Sequence, residues 1–301
     1  MELRSVELFE KQFLAKGYYC NEKANDASVN EHIRLNLYIS INDICNAKCD
    51  FCNVHRTDSN KAKFNLLKLE KVLKELKNKD RLNRIAITGG ETFLNINLLN
   101  SLIDCIANTI ENPFITINTN GSMLHKIKDI KNIDKISGIH ISRHHYEDFK
   151  NDEIFGIKTA TLSDIEKINN EYSNSLIRLN CNLIKGYIDN YDEVKRYLDM
   201  AIKSSVFRVG FVGLMELNNF CKDNYINFKD FNFDKYMLKT ETLYDTNICE
   251  CENYLYCSEQ MGRIIEVYFR QVKSLNCKYC RQLSYTCDNK LLTGFNNNSI
   301  L

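Results

Sequence analysis

The feature that most limits the fold is an alternation of short apolar strands and amphipathic helices from Ile33 to Leu214. Ile33–Ile41 places Ile33, Leu35, Leu37, Ile39 and Ile41 on one face of a strand, a period of two. A loop with three cysteines follows. The spacing then predicts a helix near Asn65–Lys77, where Leu66, Leu69, Val72, Leu73 and Leu76 recur at helical intervals. Further strands read at Arg84–Thr88, Phe114–Asn120, Gly138–His144, Leu176–Leu183 and Val206–Leu214. Helices read near Asn97–Ile110, Ser163–Tyr172 and Tyr191–Lys203. Six strands alternating with helices predict an α/β fold built on a parallel sheet.

A parallel sheet covered on both faces gives continuous apolar strands, and these strands are not continuous. Arg34, Asn36, Tyr38 and Ser40 lie opposite the apolar face of the first strand. Asn118 and Asn120, then His140, Ser142 and His144, then Arg178, Asn180 and Asn182 occupy the same face of later strands. With helices outside, these polar faces line a lumen, as in a partial (β/α)6 TIM-like barrel that stays open. The alternative, an antiparallel sheet with one wet face, conflicts with the intervening helices. After Leu217 the periodicity weakens. A helix near Phe233–Asp245 is expected, then a hairpin of Asn253–Cys257 and Ile264–Arg270 turning through Ser258–Arg263. The chain thus divides into an N-terminal extension (1–30), a core (31–217) and a small Cys-rich C-terminal hairpin domain (218–301). The last is too short to fold well without staples.

Thirteen cysteines set this chain apart from an ordinary globular composition. The start mixes charges through its apolar residues and has no signal-peptide core, so a cytoplasmic location is expected. Thiols there stay reduced, and clusters of reduced thiols point to metal. With 40 basic and 39 acidic side chains, no charge excess suggests nucleic acid as a partner. No apolar stretch is long enough to span a membrane. Cys20, Cys105, Cys181 and Cys221 are scattered and read as small buried hydrophobes.

Cys45, Cys49 and Cys52 put three thiols on one short loop directly after a strand. Three thiolates cannot complete the four-thiolate shell usual for a [4Fe–4S] cube, which leaves one iron open. A structural zinc site borrowing His55 is the competing reading. The C-x3-C-x2-C spacing, Phe51 before the third cysteine, and Thr88-Gly89-Gly90-Glu91 ending the next strand resemble the radical S-adenosylmethionine (SAM) superfamily. That resemblance implies a [4Fe–4S] cluster on the three cysteines, with SAM on the open iron. It also implies reductive cleavage of SAM to a 5′-deoxyadenosyl radical, which takes hydrogen from a substrate. Gly89, Gly90 and Glu91 would meet the SAM amino group, with Glu91 orienting it. Phe51, Ser142, Asn180 and Asn182 would line the rest of the cofactor site. One departure is Thr92, where proline is frequent.

The plan of a core followed by a Cys-rich hairpin is similar to the molybdenum-cofactor cyclase and SPASM/Twitch types. It implies an auxiliary [4Fe–4S] cluster on ligands drawn from Cys249, Cys251, Cys257, Cys277, Cys280 and Cys287, with a zinc staple as the alternative. Arg143, His144 and His145 leave the fourth strand at the end where function gathers in α/β folds, and are candidate substrate contacts. The substrate is expected to be a small molecule, with a ribosomally made peptide as the second reading and a zinc-stapled binding module without catalysis as the third. Flavodoxin or ferredoxin is the expected electron donor.

Overall fold

The computed structural model describes residues 3–16, 33–52, 64–172, 176–233, 237–242, 252–271, 279–280, 282–294 and 299–301. It opens with a hairpin, β1 (Leu3–Leu8) and β2 (Lys11–Lys16), within the stretch read as an extension. Six strands follow: β3 (Leu35–Ser40), β4 (Leu82–Thr88), β5 (Ile115–Thr119), β6 (Gly138–Ser142), β7 (Ile177–Leu183) and β8 (Arg208–Gly213). They lie side by side in chain order, every pairing parallel.

The helices are α1 (Leu66–Asn78), α2 (Ile96–Thr109), α3 (Asp148–Phe155), α4 (Leu162–Tyr172), α5 (Tyr191–Lys203) and the short α6 (Asn219–Asp223). Four start on asparagine caps, α6 among them through Asn218, which accepts from Cys221 N–H at 2.9 Å. Asn65, Asn95 and Asn190 each accept from the backbone N–H three residues on, at 3.0, 3.0 and 3.1 Å. One apolar face per helix packs on the sheet: Leu69, Val72, Leu73 and Leu76 from α1, and Leu99, Leu102, Ile103 and Ile106 from α2. They meet Leu37, Ile39, Ile85, Ile87, Ile115 and Ile117, all fully buried. Each such side chain contributes about 1.5–3 kcal/mol of burial. The opposite strand faces carry Ser40, Thr88, His140, Ser142, Arg178, Asn180 and Asn182 toward the lumen.

The C-terminal strands continue this sheet at both edges. β9 (Leu238–Thr242), β10 (Glu252–Gln260) and β11 (Arg263–Gln271) join β8, with β11 parallel to it. At the other edge β12 (Leu283–Tyr285) runs parallel to β3 and carries β13 (Leu291–Leu292). The order is β13-β12-β3-β4-β5-β6-β7-β8-β11-β10-β9. Among the described residues the end strands β13 and β9 do not pair with each other, so the barrel is open.

Two readings of the sequence are corrected here. The helix expected near Phe233–Asp245 is replaced by β9, whose backbone is recruited by β10. The hairpin is longer than expected, turning only at Met261–Gly262, where both residues have positive φ. The run after Ser142 leads into α3, which Gly156 closes in the left-handed conformation (φ 63°).

Candidate active site at the three-cysteine loop

The cysteine loop leaves β3 and is bound to the corner that ends β4. Gly90 N–H donates to Asn42 O at 3.0 Å and Glu91 N–H to Ile44 O at 2.8 Å. Asn42 Nδ2 returns a bond to Glu91 O at 3.0 Å. The two glycines make this approach possible. A Cβ on Gly90 would stand 1.9 Å from Ile44 O and 2.9 Å from Cys45 N, and one on Gly89 would stand 2.5 Å from Asn42 O. Gly89 also has φ 142°, which side-chained residues rarely adopt. The resemblance set Gly89 and Gly90 against the SAM amino group. In the structure the cysteine loop itself takes that space.

Glu91 is fully buried, and its carboxylate is committed inside the protein. Oε1 accepts from Thr119 Oγ1 at 2.7 Å and from Phe93 N–H at 3.0 Å; Oε2 accepts from Asn120 N–H at 2.7 Å. Burial raises its pKa against the pull of these donors. In this structure Glu91 ties the end of β5 to the corner after β4.

Asn120, which sequence reasoning left out of the site, completes the frame. Its Nδ2 donates to Cys45 Sγ at 3.8 Å and to Asn46 Oδ1 at 3.0 Å, while Asn46 Nδ2 reaches Ser122 Oγ at 2.9 Å. Ala47 N–H also donates to Cys45 Sγ, at 3.4 Å. Only the Asn120-Gly121 turn marks this position in the sequence. Cys45 and Cys49 are half-buried and Cys52 is exposed. Burial raises the Cys45 thiol, so two N–H donors stand where a thiolate would need them.

The far side of the loop is held too. Lys48 N–H donates to Phe155 O at 2.7 Å, and Gly156 leaves room for Lys48 Cβ, 3.1 Å from where its own would be. Asn218 Nδ2 donates to Asp50 O at 2.9 Å. Phe51 packs among Ile184, Leu214 and Cys221 and meets the His144 ring edge-on at 5.0 Å.

Arg143, His144 and His145 were expected at the substrate, and the structure commits all three elsewhere. Each is at most 4% exposed. Arg143 pairs with Asp148 at 2.6 Å and donates to Tyr146 O and Ala160 O. His144 stacks on Phe155, and its Nδ1 accepts from Asn182 N–H at 3.0 Å. Desolvation pushes it down to about 3, so it stays neutral at pH 7. His145 Nδ1 accepts from Glu147 N–H at 2.9 Å. Ser142, Asn180 and Asn182 remain half-buried, with Ser142 directly opposite Asn180.

The C-terminal cysteines divide. Cys249, Cys251 and Cys277 lie outside the described residues, as does His55. Cys257 is on β10, between β11 and β9; Cys280 and Cys287 flank β12, beside β3. Cys280 packs here as a core thiol. It is buried, its Sγ donates to Gln282 O at 3.3 Å, and burial pushes it up to about 12. Among the described residues no three His, Cys, Asp or Glu side chains converge as a single metal ion requires. A tetrahedral zinc needs all its ligand atoms within about 2.3 Å. The three loop thiols, partly open beside a glycine corner, suit a larger group bound at its corners.

Comparison with known proteins agrees with this geometry. Residues 39–201 match the Radical SAM superfamily, more than half of the chain. GTP 3′,8-cyclase of Alkaliphilus metalliredigens is 24% identical over 262 residues, covering 84% of this chain and 78% of that protein. GTP 3′,8-cyclase of Alkaliphilus oremlandii is 26% identical over 261 residues, with the same shares covered. SuiB of Streptococcus suis, solved with S-adenosylmethionine, superposes with a TM-score of 0.59 at 16% identity. The match covers 91% of this chain and 65% of SuiB, so this chain spans just under two thirds of SuiB's length. SuiB has also been solved with its precursor peptide SuiA, at a TM-score of 0.55 and 14% identity.

Proposed function

This chain belongs to the radical SAM superfamily, and from that premise we propose that it cleaves SAM reductively to take hydrogen from a small-molecule substrate held in the lumen. Membership implies a [4Fe–4S] cluster and SAM; when bound, these supply the one-electron chemistry and the 5′-deoxyadenosyl radical. Cys45, Cys49 and Cys52 would hold the cluster. The observation that carries this reading is the seating of the cysteine loop on Gly89-Gly90-Glu91, where Gly90 and Glu91 donate their N–H groups to Asn42 O and Ile44 O at 3.0 and 2.8 Å and Gly89 leaves the room.

The remaining work belongs to the chain's own residues. Asn120 and the Ala47 N–H direct positive dipoles at Cys45 Sγ and stabilise a thiolate there. The backbone at Gly89–Glu91 and the half-buried Ser142, Asn180 and Asn182 offer a polar rim for SAM at the C-terminal ends of the parallel strands, where ligands gather in such folds. His144 is a positioning residue: neutral and buried, it braces Phe51 and fixes the Asn182 backbone. The auxiliary cluster belongs to the same proposal, with Cys249, Cys251, Cys257, Cys277 and Cys287 as its ligand candidates and flavodoxin or ferredoxin as electron donor.

The test is the electron-paramagnetic signal of the anaerobically reconstituted, dithionite-reduced chain. A [4Fe–4S]⁺ spectrum that SAM perturbs supports the proposal. Zinc content without labile sulfide would replace it with a stapled binding module. A peptide substrate is the second reading, because SuiB shares this fold and is solved with a precursor peptide. Binding of a leader peptide would favour it, and its absence would favour a small molecule.

A further inference from the structure

Arg178 enters the lumen from β7, and its guanidinium lies over a bare patch of β8. A Cβ on Gly210 would stand 2.7 Å from Arg178 Nη2 and 2.6 Å from Asn180 Oδ1. The register sets Gly210 opposite Asn180 on one side and opposite Tyr268 of β11 on the other. The Tyr268 ring stands beside the guanidinium, 5.1 Å from Arg178 Cζ to the ring centroid. Arg178 forms no ion pair among the described residues, and its buried Nε has no hydrogen-bond partner. Charges of both signs surround it: Tyr268 and Glu266 favour the cation, while Arg208, directly opposite Glu266 in the register, and Arg84 oppose it. His140, also beside Arg178, is pushed down to about 3 by desolvation first and then by the same arginines.

Arg178 is half-buried, and a guanidinium partly withdrawn from water with no carboxylate hydrogen-bonded to it is poorly compensated. Arginine's planar fork matches carboxylate and phosphate oxygens two at a time. We infer that Arg178, floored by Gly210 and flanked by Tyr268, receives an anionic oxygen group of the substrate, a carboxylate or a phosphate. Its level beside Asn180 puts that group next to the rim proposed for SAM. That the lumen is a substrate chamber rests on the proposed function; anion binding at Arg178 does not.

The experiment is thermal unfolding of the reconstituted full chain in acetate, in inorganic phosphate and in chloride at one ionic strength. Acetate or phosphate should raise Tm by about 2–4 °C above chloride, and the larger rise identifies the group. Arg178→Gln should abolish the rise, and its Tm in chloride should not fall below that of the parent, because a poorly compensated cation is gone. A parent chain with no anion-specific rise overturns the inference, as does an equal rise in Arg178→Gln. So does an Arg178→Gln chain that fails to fold, since the guanidinium then serves the fold. Loss of the rise in saturating SAM overturns it as well, because the guanidinium then holds SAM's own carboxylate. Failure of the parent chain to cleave SAM would remove the chamber reading and leave anion binding untouched.

Discussion

Glu91 and Asn120 join two strand ends through a 2.7 Å hydrogen bond from the Asn120 backbone N–H to the Glu91 carboxylate. All three donors to that carboxylate are fixed: two backbone N–H groups and one hydroxyl. Glu91→Gln would set an amide donor against at least one of them. The loss should be about 1–3 kcal/mol in urea unfolding, with Thr119→Val costing less. An unchanged Glu91→Gln midpoint would mean that the carboxylate does not hold this corner.

Gly90 tests the seating of the loop. Gly90→Ala drives a methyl into the Ile44 carbonyl, whose oxygen would be 1.9 Å away, and the loop must shift. Overpacking of this kind costs about 1–3 kcal/mol. Iron and labile sulfide bound after reconstitution should fall severalfold, while Gly138→Ala, whose Cβ would meet nothing closer than 3.6 Å, should keep them. Parent-level iron in Gly90→Ala would contradict the seating.

The buried histidines make stability depend on pH. His144 and His140 are both pushed down to about 3 in the fold. Below about pH 6.5 the unfolded chain takes up protons that the folded chain refuses, so stability falls as pH falls from there toward 3. Between pH 7.0 and 5.5 the two together should cost about 2–3 kcal/mol. His144→Gln should flatten the urea midpoint against pH; an equally steep variant would show that His144 is not the titrating group.

Cys280 separates a core thiol from a cluster ligand. Cys280→Ala should leave total iron unchanged and cost about 1–3 kcal/mol, the range for a small buried group with one hydrogen bond. Loss of iron would return Cys280 to the ligand set.

The parallel core was legible because its strands and helices carry clean periods, and the observed bounds lie within about two residues of those read. The hairpin of β1 and β2 was not, for a local reason. Its turn residues, Phe9 and Glu10, hold φ of 50° and 61°, and such turns usually announce themselves with Asn-Gly or Asp-Gly. β9 was hidden because a strand at a sheet edge is decided by its partner, here β10, and not by its own propensity. The cysteines and glycines of the site stood out as spacing. Asn120 did not, because its bonds to Cys45 and Asn46 span about 75 residues of chain. The reverse held for Arg143 and His144: their residue types suggested chemistry, and burial with internal partners gives them positions to hold.

The central claim is tested most directly by chromatographic measurement of 5′-deoxyadenosine from the reconstituted chain with dithionite and SAM. The nucleoside should form with the parent chain and fall to background in Cys49→Ala. A cluster-loaded parent that releases none, or a Cys49→Ala chain that releases as much, would contradict the account.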